Sequence, residues 1–467
     1  MFVGREQELS ILNNLYQDPL FQMVVVYGRR RVGKTTLLST FATDKPNIFF
    51  TAQEVNDYQN LREFSTKIYT FFDLPKSTGA FSSWDDALDF LAEKSRSQRI
   101  ILIFDEFPYA VSANPALKSI FQKAIDHGFK DSQLFLILCG SHLGFMENEV
   151  LGYKSPLFGR RTAQMKLEAL DYYDAGKMLS GFSDEDKIKF YACIGGIPHY
   201  LNQVKSNESF EKNIKRLFFS TSGYLYNEPM MLLRQELREP AIYNSIIMAI
   251  AGGETRLNDI STKIREENSK VNKYLQTLIS LQIAQKLYPY GENPQTSRRG
   301  IYRLVDNCYD FWYRFVFPFQ AEIEGGNGEI VAEQTVFNEN LALYIGSPPF
   351  EKICLQYLMR KNRNKNLPFL ATSLGTWWGT DSQEKKQTDV DVIAANRLAH
   401  QMLLGECKWK SNINLAFEVG KLNKKSQLFK EYQEFYYYLF VKSVKPFKAN
   451  EYNAEIVSIT DLFNVES

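Results

Sequence analysis

The chain has 467 residues, 44% hydrophobic, 23% charged and 14% aromatic, with a formal net charge of +1. This composition excludes a disordered or fibrous chain, and the length allows roughly two to four domains with sizeable cores. The near-neutral balance excludes a uniformly basic nucleic-acid binder, so any contact with nucleic acid must come from local patches.

Leu9, Leu12, Leu15 and Tyr16 recur at helical spacing, which predicts an amphipathic helix over residues 5–16. The apolar run Met23–Tyr27 then predicts a buried strand, and residues 36–41 the start of a helix. Between them stands Gly28-Arg29-Arg30-Arg31-Val32-Gly33-Lys34-Thr35, followed by Thr36, which fits G-x-x-x-x-G-K-[ST] without mismatch. The glycines let the backbone curl so that successive N–H groups and the helix N-terminus point at phosphate. In this reading Lys34 reaches the β- and γ-phosphates and the Thr35 hydroxyl ligates Mg2+, so the stretch predicts a site for ATP and Mg2+.

Asn47–Thr51 reads as a second strand, and residues 58–72 and 84–96 as helices, the latter capped by Ser83. The apolar strand Ile100–Phe104 ends on two adjacent carboxylates, Asp105 and Glu106, at the end where parallel sheets gather their ligands. Asp105 is expected to hold Mg2+ through water, and Glu106 to orient and deprotonate the attacking water. Leu134–Cys139 is a further buried strand. Ser141 beyond it is a candidate to hydrogen-bond the γ-phosphate or the attacking water, although an ordinary turn residue fits the same place. Arg160, next to Arg161, precedes the strand candidate 162–167. It is a candidate to neutralise γ-phosphate charge in cis or from a neighbouring subunit, and a solvated arginine fits there too.

The order of FVGRE at 2–6, the phosphate loop, LILCGS at 136–141, SPLFGRR at 155–161 and GGIPHYL at 195–201 resembles the archaeal-type ATPases of the AAA+/STAND lineage. The resemblance spans most of the chain, because the C-terminal part is similar to the DUF234 domain that accompanies them. It implies an α/β fold, a P-loop NTPase parallel sheet ordered 5-1-4-3-2 with Asp105 and Glu106 on its third strand. It also implies that Gly4 and Arg5 lie near the adenine, and that Pro198 belongs to a small helical lid over the nucleotide. The ATPase domain then takes residues 1–170 and the lid residues 171–235.

Helical patterns at 241–251, 257–266 and 269–281, the last with Ser269 as N-cap, precede strand-like segments at 285–290 and 301–304. The loop joining those strands carries Arg298 and Arg299, so residues 236–318 read as a winged helix. Lys270, Asn272, Lys273 and Gln276 on the third helix would then face a DNA groove; packing against the nucleotide domain is the alternative. The aromatic run 309–319 is expected to dock between domains, and Gly325–Gly328 to form a linker.

Residues 335–467 hold a second acidic constellation. Residues 350–359 read as a helix carrying Glu351, and 390–394 and 401–409 as strands joined by a turn at Asn396-Arg397. A period of two puts Glu406 and Lys408 on one face, with Asp391 on the neighbouring strand beside Glu406. Such a set suits Mg2+ chemistry on phosphodiesters: Asp391, Glu406 and Glu351 toward the metal, Lys408 toward the nucleophilic water or the phosphorane charge. A cross-strand ion pair is the plainer alternative. Asp391 and Glu406-Cys407-Lys408 with Glu351 upstream resemble the PD-(D/E)xK nuclease core, to which DUF234 domains are similar, with Val390 in place of the nominal proline. Lys421, Lys424, Lys425 and Lys430 with Tyr432 and Tyr436 fit a grip on a phosphate backbone, or a solvated helix face.

The scattered cysteines 139, 193, 308, 354 and 407 and four isolated histidines argue against a zinc site or a disulfide framework and for a reducing, cytoplasmic setting. No signal peptide is read and no apolar run reaches membrane-spanning length. The expected function is ATP hydrolysis coupled to DNA binding or cleavage by a nuclease-like C-terminal domain. The alternative is an ATP-dependent switch that binds DNA or a protein without cleaving it. A protein partner or a second copy of the chain fits either reading.

Overall fold

The computed structural model describes residues 2–75, 79–237, 240–381, 384–444 and 453–464. They fall into two compact units, Met1–Ala169 with Ile197–His199, and Leu170–Gly196 with Tyr200–Ser467.

The first unit is built on five parallel strands: β1 (Gln22–Tyr27), β2 (Asn47–Thr51), β3 (Ile100–Asp105), β4 (Leu134–Gly140) and β5 (Ala163–Lys166). Their order is β2-β3-β4-β1-β5, which read from the other edge is the expected 5-1-4-3-2. Every residue of β1, β3 and β4 is buried, which explains why these strands are apolar runs with no alternation. Beside the sheet, the rings of Phe50, Phe64, Trp84, Phe104, Phe107 and Phe121 meet at centroid distances of 4.8–5.5 Å. Each such burial contributes about 1.5–3 kcal/mol relative to exposure. Helices Glu6–Gln17, Asp57–Phe71 and Trp84–Lys94 stand where the periodicity puts them, and the Ser83 side chain caps the third by accepting from Asp86 N–H. Because the strands run in register, β1, β3 and β4 deliver their following loops to one edge of the sheet.

The second unit opens with helices Tyr172–Met178, Asp184–Ile194, Phe210–Phe218 and Glu228–Glu236. Pro240–Ala251, Leu257–Ile264 and Asn268–Ser280 follow, then the antiparallel pair β6 (Ala284–Leu287) and β7 (Ile301–Leu304). The aromatic helix Asn307–Phe315 ties these segments together. Trp312 Nε1 donates to Tyr226 O at 2.6 Å, the Tyr313 hydroxyl to Asn244 Oδ1 at 2.6 Å, and the rings of Phe311 and Phe218 meet at 4.9 Å. Gly325–Gly328 is not a linker. Gly326, at φ 88°, kinks a helical stretch, and Gly328 opens helix Gly328–Thr335 so close to Phe219 that a Cβ would lie 1.8 Å from its carbonyl oxygen. Tight packing, not freedom between domains, needs glycine at 328.

The C-terminal part of this unit is a mixed sheet of β8 (Ser373–Asp381), β9 (Lys386–Asn396), β10 (Gln401–Ser411), β11 (Glu434–Ser443) and β12 (Glu455–Val457), in the order β12-β11-β10-β9-β8. β8, β9 and β10 are antiparallel; β10, β11 and β12 are parallel. Helix Leu415–Ser426 provides the crossover that the parallel pair β10–β11 requires. The loop between β6 and β7 lies along the outer edge of β8. Tyr290 N–H donates to Thr376 O at 2.8 Å, Trp378 Nε1 to Arg299 O at 3.1 Å, and the Tyr290 hydroxyl meets that of Tyr432 at 2.8 Å. An otherwise open sheet edge is thereby occupied by the chain itself.

Candidate nucleotide site and a second acidic centre

At the end of β1 the chain turns through Gly28, whose Cβ, if present, would lie 2.3 Å from Leu167 O. Gly33, at φ 94°, ends the loop in the left-handed region and hands over to helix Lys34–Ala42. Gly28→Ala is therefore expected to destabilise the first unit by about 1–3 kcal/mol, since backbone must move to admit the methyl group. Denaturant unfolding followed through this unit measures it, and an unchanged midpoint would contradict the close approach.

Lys34 is buried, and its ammonium donates to the carbonyls of Gly28 at 2.9 Å and Arg29 at 3.1 Å. Burial holds its pKa below the usual lysine value. Thr35 Oγ1 donates to Asp105 Oδ2 at 3.1 Å, so a hydroxyl and a carboxylate stand together, the donor pair that a hard cation such as Mg2+ takes. Glu106 sits at φ 50°, a left-handed conformation that costs a non-glycine residue roughly 1–2 kcal/mol. Its carboxylate is held by Ser141, from N–H at 3.2 Å and from Oγ at 2.8 Å. Asp105 and Glu106 both act electrostatically on Lys34.

Arg5 and Arg30 near the loop have structural partners of their own. Arg5 is buried and donates to Val32 O at 3.1 Å and Glu168 O at 2.6 Å, which ties the start of the chain to the loop. Gly4 just before it has φ 69°. Arg30 donates to the Tyr109 hydroxyl at 2.7 Å, Arg31 has φ 70°, Val32 is buried, and Thr35 and Thr36 are exposed. Pro198 starts the short helix Pro198–Leu201 and lies over the loop, 3.9 Å from where a Gly33 Cβ would be. Arg160 is placed otherwise than toward this site. Its guanidinium forks onto Asp126 at 3.0 and 2.6 Å and also donates to Pro156 O at 2.7 Å.

The second centre lies on β9, β10 and helix Pro349–Arg363. Gly405 pairs with Val392, so Glu406 and Asp391 come one step further along the same ladder. Asp391 Oδ2 accepts from Cys407 N–H at 2.7 Å. Glu406 accepts from Lys408 Nζ at 2.5 Å on one oxygen and from Lys425 Nζ at 2.8 Å on the other. Burial, then the charges of Glu406 and Glu351, push the Asp391 pKa up to about 7. Burial also raises Glu351, whereas at Glu406 the two lysines outweigh burial and hold the carboxyl below its usual range. Among the described residues no three or more His, Cys, Asp or Glu side chains are gathered to hold a metal ion by themselves.

Two contributors escape the sequence patterns. Lys425, whose spacing suits a basic helix face, is the second cation on Glu406. Its position shows only once the crossover helix is laid on β10. Asp389, two residues before Asp391 and 3.9 Å from Lys425, would have followed from extending β9 by its period of two. Of the other basic candidates, Lys421 pairs with Glu418, and the Tyr432 hydroxyl is taken by Tyr290. Tyr436 hydrogen-bonds Glu434, and Lys424 and Lys430 are exposed.

A parallel 5-1-4-3-2 sheet carrying a phosphate loop at the end of β1 and an acidic pair at the end of β3, with β4 between them, is that of a P-loop ATPase. Residues 2–204 match the family model of an ATPase domain predominantly from Archaea, and residues 312–425 match DUF234, a family of archaeal and bacterial proteins of unknown function. An uncharacterized protein of Methanocaldococcus jannaschii is 31% identical over 412 residues, 88% of each chain. A shorter stretch of 45 residues, 10% of this chain and 76% of the other, is 42% identical to an uncharacterized ATP-binding protein of the same organism. Among solved structures, the Walker-type ATPase of Pyrococcus abyssi matches with a TM-score of 0.54 at 20% identity, over 67% of this chain and 96% of that one, a likeness of fold. The chain belongs to this family of archaeal-type ATPases with a C-terminal DUF234 domain.

Proposed function

We propose that the protein hydrolyses ATP with Mg2+ at the phosphate loop and couples this to nucleic acid at its C-terminal domain. The observation that supports the first half is the placement of Glu106 by Ser141 beside the Thr35–Asp105 pair. Lys34 exchanges the carbonyls of Gly28 and Arg29 for the β- and γ-phosphates, and the loop N–H groups take the remaining oxygens. Thr35 and Asp105 would hold the Mg2+ that accompanies ATP, and that ion would supply screening of the phosphate charge. Glu106, once its carboxylate turns from Ser141, aligns and deprotonates the attacking water, and Ser141 is left to hydrogen-bond that water or the γ-phosphate. Gly4, Arg5 and Pro198 line the adenine side. Arg160, forked onto Asp126, acts there only from a neighbouring copy.

For the second half, residues 236–318 are taken as a winged helix and 335–467 as a nuclease-like domain, behind the ATPase domain 1–170 and lid 171–235. Asp391 and Glu406, with Glu351 behind them, offer oxygens for Mg2+, and Lys408 faces the phosphodiester. The support is the juxtaposition of these groups on adjacent strands. A second reading, binding without cleavage, is favoured by the double clamp of Lys408 and Lys425 on Glu406, which already neutralises that carboxylate.

The helix Asn268–Ser280 buries Val271, Leu275 and Leu278 and exposes Lys270, Asn272, Lys273 and Gln276. Ser269 is not its cap, because the helix starts a residue earlier with Glu267 at the N-cap. If the exposed face reads DNA, Lys270→Ala with Lys273→Ala should weaken duplex binding and flatten its salt dependence by up to ~2 units. Anisotropy titrations at several salt concentrations measure this, and an unaltered slope removes the helix from the interface.

A further inference from the structure

Both carboxylate oxygens of Glu406 are taken. Lys408 Nζ donates to Oε1 at 2.5 Å and Lys425 Nζ to Oε2 at 2.8 Å. Asp391 is not closed in this way: Cys407 N–H meets its Oδ2, and among the described residues no donor reaches its Oδ1. A metal ion shared by these two carboxylates must therefore take the place of an ammonium group on Glu406.

The two lysines are not equivalent. Lys408 stands two residues from Glu406 on β10, whereas Lys425 reaches in from helix Leu415–Ser426. That helix buries Val419 and Leu422, and its Asn423 Oδ1 accepts from the Tyr437 hydroxyl of β11 at 3.1 Å. The backbone at Lys425 is thus held, and its freedom lies in the flexible side chain. The ammonium has an inner and an outer partner. Glu406, with a side chain 7% exposed, is the inner one; Asp389, 3.9 Å away and 69% exposed, is the outer one. Moving outward keeps the ammonium beside a carboxylate and brings it nearer water, so release leaves no buried unpaired cation. Charge decides what draws it out. One carboxylate between two ammonium groups leaves a surplus of one positive charge, which repels a metal ion and attracts a phosphate.

We propose that Lys425 is a further substrate-binding residue of this centre, an ammonium group that stands on Glu406 in the place of a metal ion and passes to the phosphodiester when nucleic acid arrives. Phosphate then binds before the metal, and each strengthens the binding of the other. This role rests on reading Asp391, Glu406 and Lys408 as a metal centre that acts on nucleic acid. The double clamp on Glu406 is then the resting state of that centre.

The test uses the full chain without nucleotide. Free Mn2+ is counted by electron paramagnetic resonance and binding of a fluorescent DNA duplex is followed by anisotropy, for wild type, Lys425→Met, Lys425→Arg and Asp391→Ala. Metal that still binds with Asp391→Ala is held elsewhere, on the duplex included, and is subtracted. Without DNA, Lys425→Met should bind Mn2+ at least ~tenfold more tightly than wild type, because a competing charge is gone. Without metal, the same variant should bind the duplex more weakly, with a salt slope lower by about one unit. With both present, the duplex should tighten Mn2+ binding in wild type, and that gain should shrink in Lys425→Met. Lys425→Arg keeps the charge and should stay near wild type. A merely structural lysine would not move the two affinities in opposite directions. Lys425→Gln, which keeps a hydrogen-bond donor for Glu406, repeats the comparison if Lys425→Met melts early. Mn2+ bound no more tightly by Lys425→Met and Lys425→Gln than by wild type would overturn the exchange and leave the metal reading standing. Duplex affinity unchanged in both variants would overturn the substrate contact. If no protein binds Mn2+ above the Asp391→Ala level, with or without DNA, the exchange and the metal reading both fail and binding without cleavage is left.

Discussion

Glu106→Gln should bind ATP with Mg2+ and turn it over at least ~100-fold more slowly than wild type, as loss of a positioned general base predicts. The amide keeps the shape of the side chain and can still meet Ser141, so the φ 50° backbone at residue 106 stays supported. It cannot take a proton from water. Binding should survive, because Lys34, Thr35, Asp105 and the loop N–H groups are untouched. Lys34→Ala should act at the earlier step and remove nucleotide binding itself, since the phosphates lose their buried ammonium. Equilibrium binding of a fluorescent ATP analogue beside phosphate release separates the two variants. Unchanged turnover in Glu106→Gln would take Glu106 out of the mechanism.

Asp391→Ala and Lys408→Ala should each abolish Mg2+- or Mn2+-dependent cleavage of DNA while leaving ATP hydrolysis largely intact. The nucleotide site draws on the first compact unit and this centre on the second. Removing Asp391 takes away one of the carboxylates that would hold the ion, and removing Lys408 takes away the cation that would face the phosphodiester. The protonation of Asp391 gives a further mark. With its pKa pushed up to about 7, it must lose a proton before it can hold a cation. Mn2+ binding at this centre should therefore tighten by roughly tenfold per pH unit below about 7 and level off above it. A carboxyl raised in the folded state adds stability at low pH that is lost as pH rises through its folded value. The contribution of Asp391 to the stability of the metal-free protein should thus fall between about pH 4 and 7, and Mn2+ should restore most of it at the alkaline end. Wild type that leaves varied DNA and RNA substrates intact with ATP and Mn2+ would leave only the binding reading.

The nucleotide site was legible because its chemistry lies in eight consecutive residues between a strand and a helix, with the acidic pair ending another apolar strand. The sheet order came from resemblance to known ATPases, since no pattern in the residues says which strand lies beside which. Arg160 shows where local reading stops. Its place beside β5 was visible, but its partner Asp126 lies 34 residues upstream on a different element. The Gly325–Gly328 stretch carries the composition of a linker, and only the contact with Phe219 O reveals that glycine is needed there for packing. β8 went unread because Ser373–Asp381 is half-buried and interrupted by two glycines, so it shows neither clean alternation nor an apolar run. The shared face of Glu406 and Lys408, by contrast, follows from a strand's period of two, and in the structure Lys408 Nζ lies on Glu406.

The proposed function requires that the phosphate loop cleave ATP and not merely hold it. Rapid mixing of the full chain in excess over γ-labelled ATP, a single-turnover experiment, reads that step without relying on product release. Labelled phosphate should be released with Mg2+ present, with release abolished by chelation and slowed at least ~100-fold in Glu106→Gln. ATP that binds with Mg2+ and is recovered intact, with and without DNA, would contradict it.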